Sequence, residues 1–300
     1  MSIAYLNGEF LPLEQAKVPV LDRGFLFADS IYEVIPVYAG ALFRFKQHIQ
    51  RLNNSLAAIK LPLQQTEQQW REILETLIEC NDMPNAAIYL QITRGAYPER
   101  NHDFPQTVVP TILATISPLP EVQTDSKHSD IKGISVITAE DIRWHRCDIK
   151  STGLLANCLL KQQALESGAD DTILVRNGQA GEATSSNLFV VKERTIITPP
   201  HSDHILPGVT RDFVVALAHL DGIPLVERNI QAKELSGADE IWLTSSTKEI
   251  RPVTQLNGVT IGNGQVGPLW QRMNALYQQL KKQLFSGEVK DLTINGRIKH

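Results

Sequence analysis

Three of the five Asn-Gly pairs in this chain, each set between two short strand-like segments, constrain its fold more than any other feature. Asn7-Gly8, Asn177-Gly178 and Asn257-Gly258 suit the two-residue turns of β-hairpins, because both residues tolerate a positive φ. Hairpins need antiparallel strand pairs, which excludes an all-helical or purely parallel fold. Many short strands mixed with several helical segments predict an α+β fold, with a mixed or antiparallel sheet that closes on itself in the second half.

A proline-rich segment divides the chain. The 300 residues suffice for two domains, and Ser117-Pro118-Leu119-Pro120-Glu121, followed by polar residues, is typical of a linker. We predict a small N-terminal α+β domain over residues 1–118, a linker over 119–123, a larger C-terminal domain with a barrel-like mixed sheet over 124–287, and a tail over 288–300. The sequence gives no prediction for the conformation of the tail.

Local patterns predict several elements. A hairpin is expected over residues 3–12 and a strand over 31–38, with Tyr32 on one face and Glu33 on the other. The capping-box pattern that begins at Thr66 predicts a helix start. Pro110 interrupts a predicted strand over 108–116, which favours an edge position for that strand.

Composition limits the function classes. A net charge of −4 and a pI near 6.1 give no reason to expect nucleic-acid binding. No apolar run reaches the roughly 18 residues of a membrane span, and the N-terminal residues do not resemble a signal peptide. Three scattered cysteines argue against a disulfide framework and against a zinc site. We therefore expect a cytoplasmic protein.

Lys150 is the first candidate catalytic residue. It lies in Asp148-Ile149-Lys150-Ser151, where an extended segment is predicted to end and a helix over about 153–167 to begin. Leu154, Leu155, Cys158, Leu159 and Leu160 have spacings that predict a buried face for that helix. A partly desolvated lysine at such a junction can act as an amine nucleophile. The alternative is a surface lysine near a helix start.

Three polar segments downstream could bind an anionic group. A carboxylate precedes hydroxyls and an amide in Gly181-Glu182-Ala183-Thr184-Ser185-Ser186-Asn187. The alternative is a solvated loop, in which the same residue types are common. Pro207-Gly208-Val209-Thr210 opens a predicted helix whose free N–H groups favour phosphate. Thr244-Ser245-Ser246-Thr247 ends a predicted strand with four hydroxyls, and the alternative here is a helix N-cap. A Schiff-base lysine, a carboxylate and phosphate-binding groups are what pyridoxal 5′-phosphate (PLP) requires.

These residues occur in the order found in the fold-type IV PLP enzymes, which the chain resembles from about Tyr5 to Phe285. That group includes D-amino acid and branched-chain aminotransferases and aminodeoxychorismate lyase. The resemblance implies that Lys150 is the Schiff-base lysine and that Glu182 holds the ring nitrogen. It also implies cofactor contacts, mostly to the phosphate, from Arg51 in His48-x-x-Arg51, Ser185, Ser186, Asn187, Val209, Thr210, Ser245 and Ser246.

Within the group, Asp148-Ile149-Lys150-Ser151 and Arg100-x-His102 are most similar to D-amino acid aminotransferase. The resemblance implies that Arg100 and His102 come from the partner subunit of a homodimer and bind the substrate carboxylate together with Tyr32, with Thr247 also on the substrate side. The loop has one residue more than the family's spacing, at Glu99, so its substrate preference is open. A solvated polar loop is the alternative interpretation.

The sequence thus predicts transamination between a D-amino acid, such as D-alanine, and a 2-oxo acid, such as 2-oxoglutarate, without a metal. The alternatives are a branched-chain L-amino acid or (R)-amine transaminase, an aminodeoxychorismate lyase, and a non-catalytic binding module in which Lys150 is structural.

Overall fold

A computed structural model describes residues 2–119, 131–289 and 291–299. The described residues pack as two units. The first contains residues 2–119 and 149–154, and the second contains the remainder. The segment 149–154 thus packs with the first unit, whereas the predicted division places it in the C-terminal domain. Residues 120–123 of the predicted linker lie outside the described residues.

The first unit is an antiparallel sheet covered on one face by helices. Its strands lie in the order β2-β1-β6-β5-β3-β4. The helices α2 and α3 pack on this sheet around a core that includes Ile35, Leu52, Trp70 and Leu90. The elements are β1 (Ile3–Leu6), β2 (Glu9–Pro12), α1 (Arg23–Phe27), β3 (Ser30–Tyr38), β4 (Ala41–Leu42), α2 (Phe45–Ala58), α3 (Glu67–Asn81), β5 (Ala86–Thr93) and β6 (Thr111–Pro118).

The edge position predicted for the strand near Pro110 is wrong. Strand β6 begins at Thr111, one residue after that proline, and pairs with β1 on one side and β5 on the other. Pro110 therefore removes no hydrogen bond from the ladder, and the strand can lie in the interior of the sheet.

The second unit contains a mixed sheet that closes into a barrel. Strands β10, β14, β15, β7, β8 and β9 pair in that order, and β9 pairs back to β10. This confirms the predicted barrel-like sheet. The strands are β7 (Ile134–Glu140), β8 (Asp171–Arg176), β9 (Gln179–Ala183), β10 (Asn187–Lys192), β11 (Thr195–Thr198), β12 (Leu225–Glu227), β13 (Ile230–Gln231), β14 (Glu240–Ser245), β15 (Glu249–Leu256) and β16 (Val259–Thr260).

Three helices complete this unit: α4 (Leu155–Glu166), α5 (Val209–Leu220) and α6 (Pro268–Ser286). Helix α4 packs on β8 and β7 and buries Leu160 and Ala164, which lie one turn apart. The prediction of a buried face through Leu155 and Leu159 is wrong for this chain, because these side chains are 74% and 56% exposed. Cys158, predicted on the same face, is also exposed.

All three Asn-Gly turns are confirmed. They connect β1 to β2, β8 to β9 and β15 to β16, and each asparagine and glycine has a positive φ. The tail after α6 forms a further hairpin, β17 (Asp291–Leu292) with β18 (Ile298–Lys299), in which Leu292 is buried. None of the helices in the described residues is long and apolar enough to cross a membrane.

Candidate functional site

The Lys150 segment is fixed to strand β3 of the first unit by backbone hydrogen bonds. The amide of Tyr32 donates to the carbonyl oxygen of Lys150 at 2.9 Å, and the amide of Thr152 donates to that of Ser30 at 3.2 Å. The amide of Lys150 donates to the Ser55 hydroxyl of α2 at 3.3 Å. Because α4 begins only at Leu155, Lys150 lies in an extended segment alongside β3 and not directly at a helix start.

The Lys150 amine lies over an aromatic face. Its Nζ is 4.2 Å from the ring centroid of Tyr32, and Lys150 is half-buried. The Tyr32 ring lies 5.5 Å from that of Tyr89, whose hydroxyl donates to Gln91 at 2.8 Å. Burial, assisted by Tyr32, raises the pKa of Tyr89 to about 12. The amine therefore lies against the ring of Tyr32, and a lysine side chain held in this way can serve as a nucleophile.

Arg51 is held by a buried carboxylate on the opposite face of β3. Its Nε and Nη2 donate to the two oxygens of Glu33 at 2.7 Å each, and His48 Nδ1 lies 2.7 Å from the same carboxylate. Burial opposes ionisation of Glu33, but Arg51 and His48 outweigh it and lower the pKa of Glu33 to about 2. Burial also lowers the pKa of His48, although Glu33 opposes this.

Glu33 therefore fixes the guanidinium of Arg51, the predicted phosphate-binding arginine, in one bidentate orientation. The sequence analysis placed Glu33 on the face opposite Tyr32 but gave it no role. A carboxylate at a core-facing position of an otherwise apolar strand was the available signal, since such a group requires a buried partner.

Arg100 and His102 share one aromatic support. The guanidinium of Arg100 lies 4.9 Å from the ring centroid of Phe27, and the His102 ring lies 5.1 Å from it. Both residues are otherwise exposed, as is Glu99. The structure thus brings the two predicted carboxylate-binding side chains to one ring at the end of α1.

In the second unit, Glu182 lies buried where the barrel closes. Asn187 is its partner in the pair that joins β9 to β10, and its side-chain amide donates to Glu182 at 3.4 Å. The amide of Leu206 donates to the same carboxylate oxygen at 3.2 Å. This carboxylate is therefore not part of the solvated loop that the sequence left open.

Arg143 is a site residue that the sequence analysis missed. Its Nη1 donates to Glu182 at 2.6 Å, while Nε and Nη2 bind Asp141 at 2.9 and 3.0 Å. Burial raises the pKa of Glu182 although Arg143 opposes that shift. A carboxyl group with increased proton affinity, held by a neighbouring guanidinium, is suited to share a proton with a ring nitrogen.

The polar segments of the second unit converge on one row of the barrel. Strand register places Asn187 opposite both Glu182 and Thr244. Asn187 also approaches the start of α5, because a Cβ added to Gly208 would lie 1.9 Å from its Oδ1. A side chain at Gly208 is thus excluded, and the backbone before Val209 and Thr210 can come close to the row.

The hydroxyl groups of this unit differ in exposure. Ser185 is exposed, whereas Ser186 is buried in the turn between β9 and β10. Ser245, Ser246 and Thr247 are half-buried and follow Thr244 into β15. A strand and not a helix follows these hydroxyls, so the helix N-cap interpretation is wrong.

The donors present in this unit fit a phosphate group. Helix α5 has Gly208 as its N-cap, with no side-chain cap among the described residues, so its first N–H groups remain available. The hydroxyl of Thr244 is buried and has no hydrogen-bond partner within the described part of the chain. Together with Glu182, these groups match the donors and the carboxylate that PLP requires.

Comparison with known proteins agrees with this geometry. The model of class IV aminotransferases matches residues 30–256. D-alanine aminotransferase of Bacillus licheniformis is 39% identical over 272 residues, which are 91% of this chain and 94% of that protein. D-alanine aminotransferase of Staphylococcus haemolyticus is 36% identical over 274 residues, with 91% and 95% covered.

A solved structure shows the same fold. The branched-chain amino acid aminotransferase of Escherichia coli superposes with a TM-score of 0.82 at 26% identity, over 99% of this chain and 96% of that one. The predicted α+β, fold-type IV architecture is thereby confirmed. Class IV aminotransferases depend on PLP, which confirms the predicted cofactor. This chain belongs to the class IV aminotransferases.

Proposed function

We propose that this enzyme transfers the amino group of a D-amino acid, with D-alanine as a donor, to a 2-oxo acid such as 2-oxoglutarate. The observation that carries the proposal is the common support of Arg100 and His102 on Phe27. A guanidinium and an imidazole held side by side can form charge-assisted hydrogen bonds to one carboxylate. The D-alanine aminotransferases that match over most of the chain support the same substrate class.

Lys150 is the residue that would hold the cofactor through its amine, and bound PLP would supply an electron sink for loss of the α-proton. The Lys150 amine would act as the base that takes up the proton from the substrate Cα. Its backbone hydrogen bonds to Tyr32 and Ser55 anchor the main chain from which that amine extends. Tyr32 and Thr247 are assigned to the substrate side.

The remaining residues bind the cofactor in this proposal. Glu182, supported by Arg143 and Asn187, would hold the proton on the ring nitrogen. The phosphate contacts come from Arg51, from the start of α5 at Val209 and Thr210, and from serine hydroxyls. Those hydroxyls belong to Ser185, Ser186, Ser245 and Ser246.

The assembly and location are also proposals. A carboxylate-binding loop that serves a second subunit requires a homodimer, and two-fold dimers are the commonest symmetric oligomers. We propose a cytoplasmic homodimer that acts on small-molecule amino acids and 2-oxo acids. The division into an N-terminal domain that ends at residue 118 and a C-terminal domain that begins at residue 124 remains a prediction.

The test is a half-reaction of the cofactor-bound protein. D-alanine and L-leucine are added separately, without a 2-oxo acid, and the visible absorption band of the cofactor is followed. We expect D-alanine to bleach the band and L-leucine to leave it unchanged. Lys150→Ala should lose transamination by orders of magnitude, whereas Lys192→Ala, at an exposed lysine paired with Asp239, should react like the wild type.

The other outcomes separate the competing functions. Bleaching by L-leucine alone would favour a branched-chain aminotransferase and contradict the D-amino acid assignment. Repeated turnover of aminodeoxychorismate without an acceptor would favour a lyase. Retained steady-state transamination in Lys150→Ala would exclude the assignment of that lysine.

A further inference from the structure

Helix α1 is a short element that is anchored through its N-cap residue. Asp22, its N-cap, is fully buried and accepts a hydrogen bond from the Gly24 amide at 2.8 Å. The other oxygen of this carboxylate accepts from the hydroxyls of Thr93 at 3.0 Å and Thr111 at 2.6 Å. Because Thr93 ends β5 and Thr111 begins β6, the helix is fixed to the central strands of the sheet.

Arg23, the first residue of α1, binds the backbone of the loop that carries Arg100 and His102. Its Nη1 donates to the carbonyl oxygens of Asn101 at 2.5 Å and Asp103 at 3.3 Å, and Nη2 donates to that of His102 at 3.2 Å. The side chain of Arg23 is only 7% exposed. One buried guanidinium therefore spans three consecutive carbonyl groups of an otherwise exposed loop.

Asp29 holds this guanidinium in orientation. It accepts from Arg23 Nε at 2.8 Å and from Arg94 Nε and Nη2 at 2.7 and 2.9 Å. Burial opposes ionisation of Asp29, but Arg94 and Arg23 outweigh it and the pKa of Asp29 lies below its usual value. Arg94 is itself tied to the carbonyl oxygen of Ile59 at 2.7 Å. The cluster thus connects the loop to the core of the unit.

Phe27, one turn after Arg23 on the same helix, lies against the two side chains that the proposed function assigns to the substrate carboxylate. The carbonyl contacts of Arg23 set the path of the loop, and the ring of Phe27 limits the side-chain positions of Arg100 and His102. A charge-assisted pair for one carboxylate needs its donors held to within a fraction of an ångström.

We propose that Arg23 is a positioning residue that sets the affinity of the enzyme for the substrate carboxylate, acting through Arg100 and His102. This inference rests on the proposed function. Arg23 does not touch the substrate, because all its hydrogen-bonding contacts described above are to Asp29 and to the three loop carbonyls. Its loss should therefore weaken substrate binding without removing the chemistry at Lys150.

The test compares Arg23→Gln and Arg23→Lys with a matched control in the cofactor-bound enzyme. Lysine keeps the positive charge for Asp29 but lacks the planar fork that reaches several carbonyls. Arg71→Gln is the control, since Arg71 also lies over a phenylalanine, Phe45, and pairs with Glu75 on the exposed side of α3. Steady-state constants for D-alanine and amide hydrogen exchange of residues 100–104 are measured for each.

We expect both Arg23 variants to raise the KM for D-alanine roughly tenfold to a hundredfold, with a much smaller change in kcat. Hydrogen exchange in the loop should become faster, and the rate at which hydroxylamine, a nucleophile without a carboxylate, reacts with the bound cofactor should stay the same. Arg71→Gln should match the wild type in every measurement. If Arg23→Gln fails to fold, the same comparison is made with Arg23→Lys.

Two outcomes would overturn the inference. Unchanged loop exchange would show that Arg23 does not position the loop, and faster exchange with an unchanged KM would show that the loop position does not govern carboxylate binding. Failure of the proposed function is recognised separately, because the wild-type enzyme would then not react with D-alanine in the half-reaction, before any variant is compared.

Discussion

Asn187 lies opposite Glu182 in the backbone pair that joins β9 to β10 and closes the barrel. The position of the Glu182 carboxylate is therefore determined by closure of the sheet and not by a loop. Arg143, which donates to Glu182 at 2.6 Å, follows β7, another strand of the same barrel. Residues on rigid strands place a functional group more accurately than residues on loops do.

Glu182→Gln should retain the bound cofactor but slow the half-reaction with D-alanine by about a hundredfold or more. The amide has nearly the same shape as the carboxyl group but cannot hold the proton of a ring nitrogen. Single-turnover absorbance measurements test this expectation. Glu166→Gln, at an exposed position of α4, is the control, and an undiminished rate in Glu182→Gln would contradict the assigned role.

Gly208→Ala should weaken binding of PLP to the apoenzyme by about tenfold or more, because the added methyl group displaces either Asn187 or the start of α5. Its Cβ would lie 1.9 Å from Asn187 Oδ1. Titration with PLP and with pyridoxal, which lacks the phosphate, measures the effect. Gly237→Ala is the control, since nothing lies within 4 Å of its Cβ position. An equal loss for both ligands would argue against a phosphate site at α5.

Glu33 should make the folded enzyme sensitive to acid. Its pKa is about 2 in the folded state against an ordinary value of 4.5, so the unfolded chain takes up the proton first as the pH falls. The stabilisation is fully present above about pH 4.5 and is lost between about pH 4.5 and 2, with a magnitude on the order of 3 kcal/mol. Urea unfolding at several pH values below 4.5 tests this.

Glu33→Gln provides the comparison for that experiment. At neutral pH it should destabilise the protein by about 3–5 kcal/mol, because Arg51 is left buried without its carboxylate. It should also reduce the loss of stability below pH 4.5. The lowered pKa of His48 contributes a separate loss that begins at higher pH, near 6.5. An acid dependence identical to that of the wild type would disprove the role of Glu33.

Thr66→Ala should destabilise the first unit by about 1 kcal/mol through loss of the capping box of α3. The Gln69 amide donates to the Thr66 hydroxyl at 3.2 Å, and the Thr66 amide donates to the Gln69 side chain at 2.8 Å. Gln68→Ala removes only an exposed helical pair with Glu72 and should cost a few tenths of a kcal/mol. Chemical unfolding that gives equal values for the two variants would contradict this prediction.

Elements with local causes could be predicted from the sequence. The three Asn-Gly turns and the Thr66 capping box depend on residues within four positions of each other, and the structure confirms all of them. The position of β6 in its sheet was predicted wrongly because strand order depends on pairing with β1 and β5, which lie far away in sequence. The buried face of α4 was predicted wrongly for a related reason, since the spacing of hydrophobic residues alone does not specify which side of a helix packs on the sheet.

The predicted site residues came from separate motifs, and the fold determines which of them meet. Register places Glu182, Asn187 and Thr244 in one row, which no local pattern reveals. Arg143 was missed because its partner Glu182 lies 39 positions away. Arg23 was missed for the same reason, since its contacts to Asn101 and His102 span almost 80 positions.

The alternation of side chains along β3 and β5 has a consequence for redesign of this enzyme. Tyr32 and Val34 pair with Gln91 and Tyr89 on the half-exposed face that contains the Lys150 amine, whereas Glu33 points into the core. A combinatorial library confined to positions 32, 34, 89 and 91 would vary the surface next to the lysine while leaving the buried Glu33–Arg51 pair unchanged. A single residue inserted into β3 would instead exchange the two faces of that strand. It would disrupt both the surface beside Lys150 and the buried Glu33–Arg51 pair.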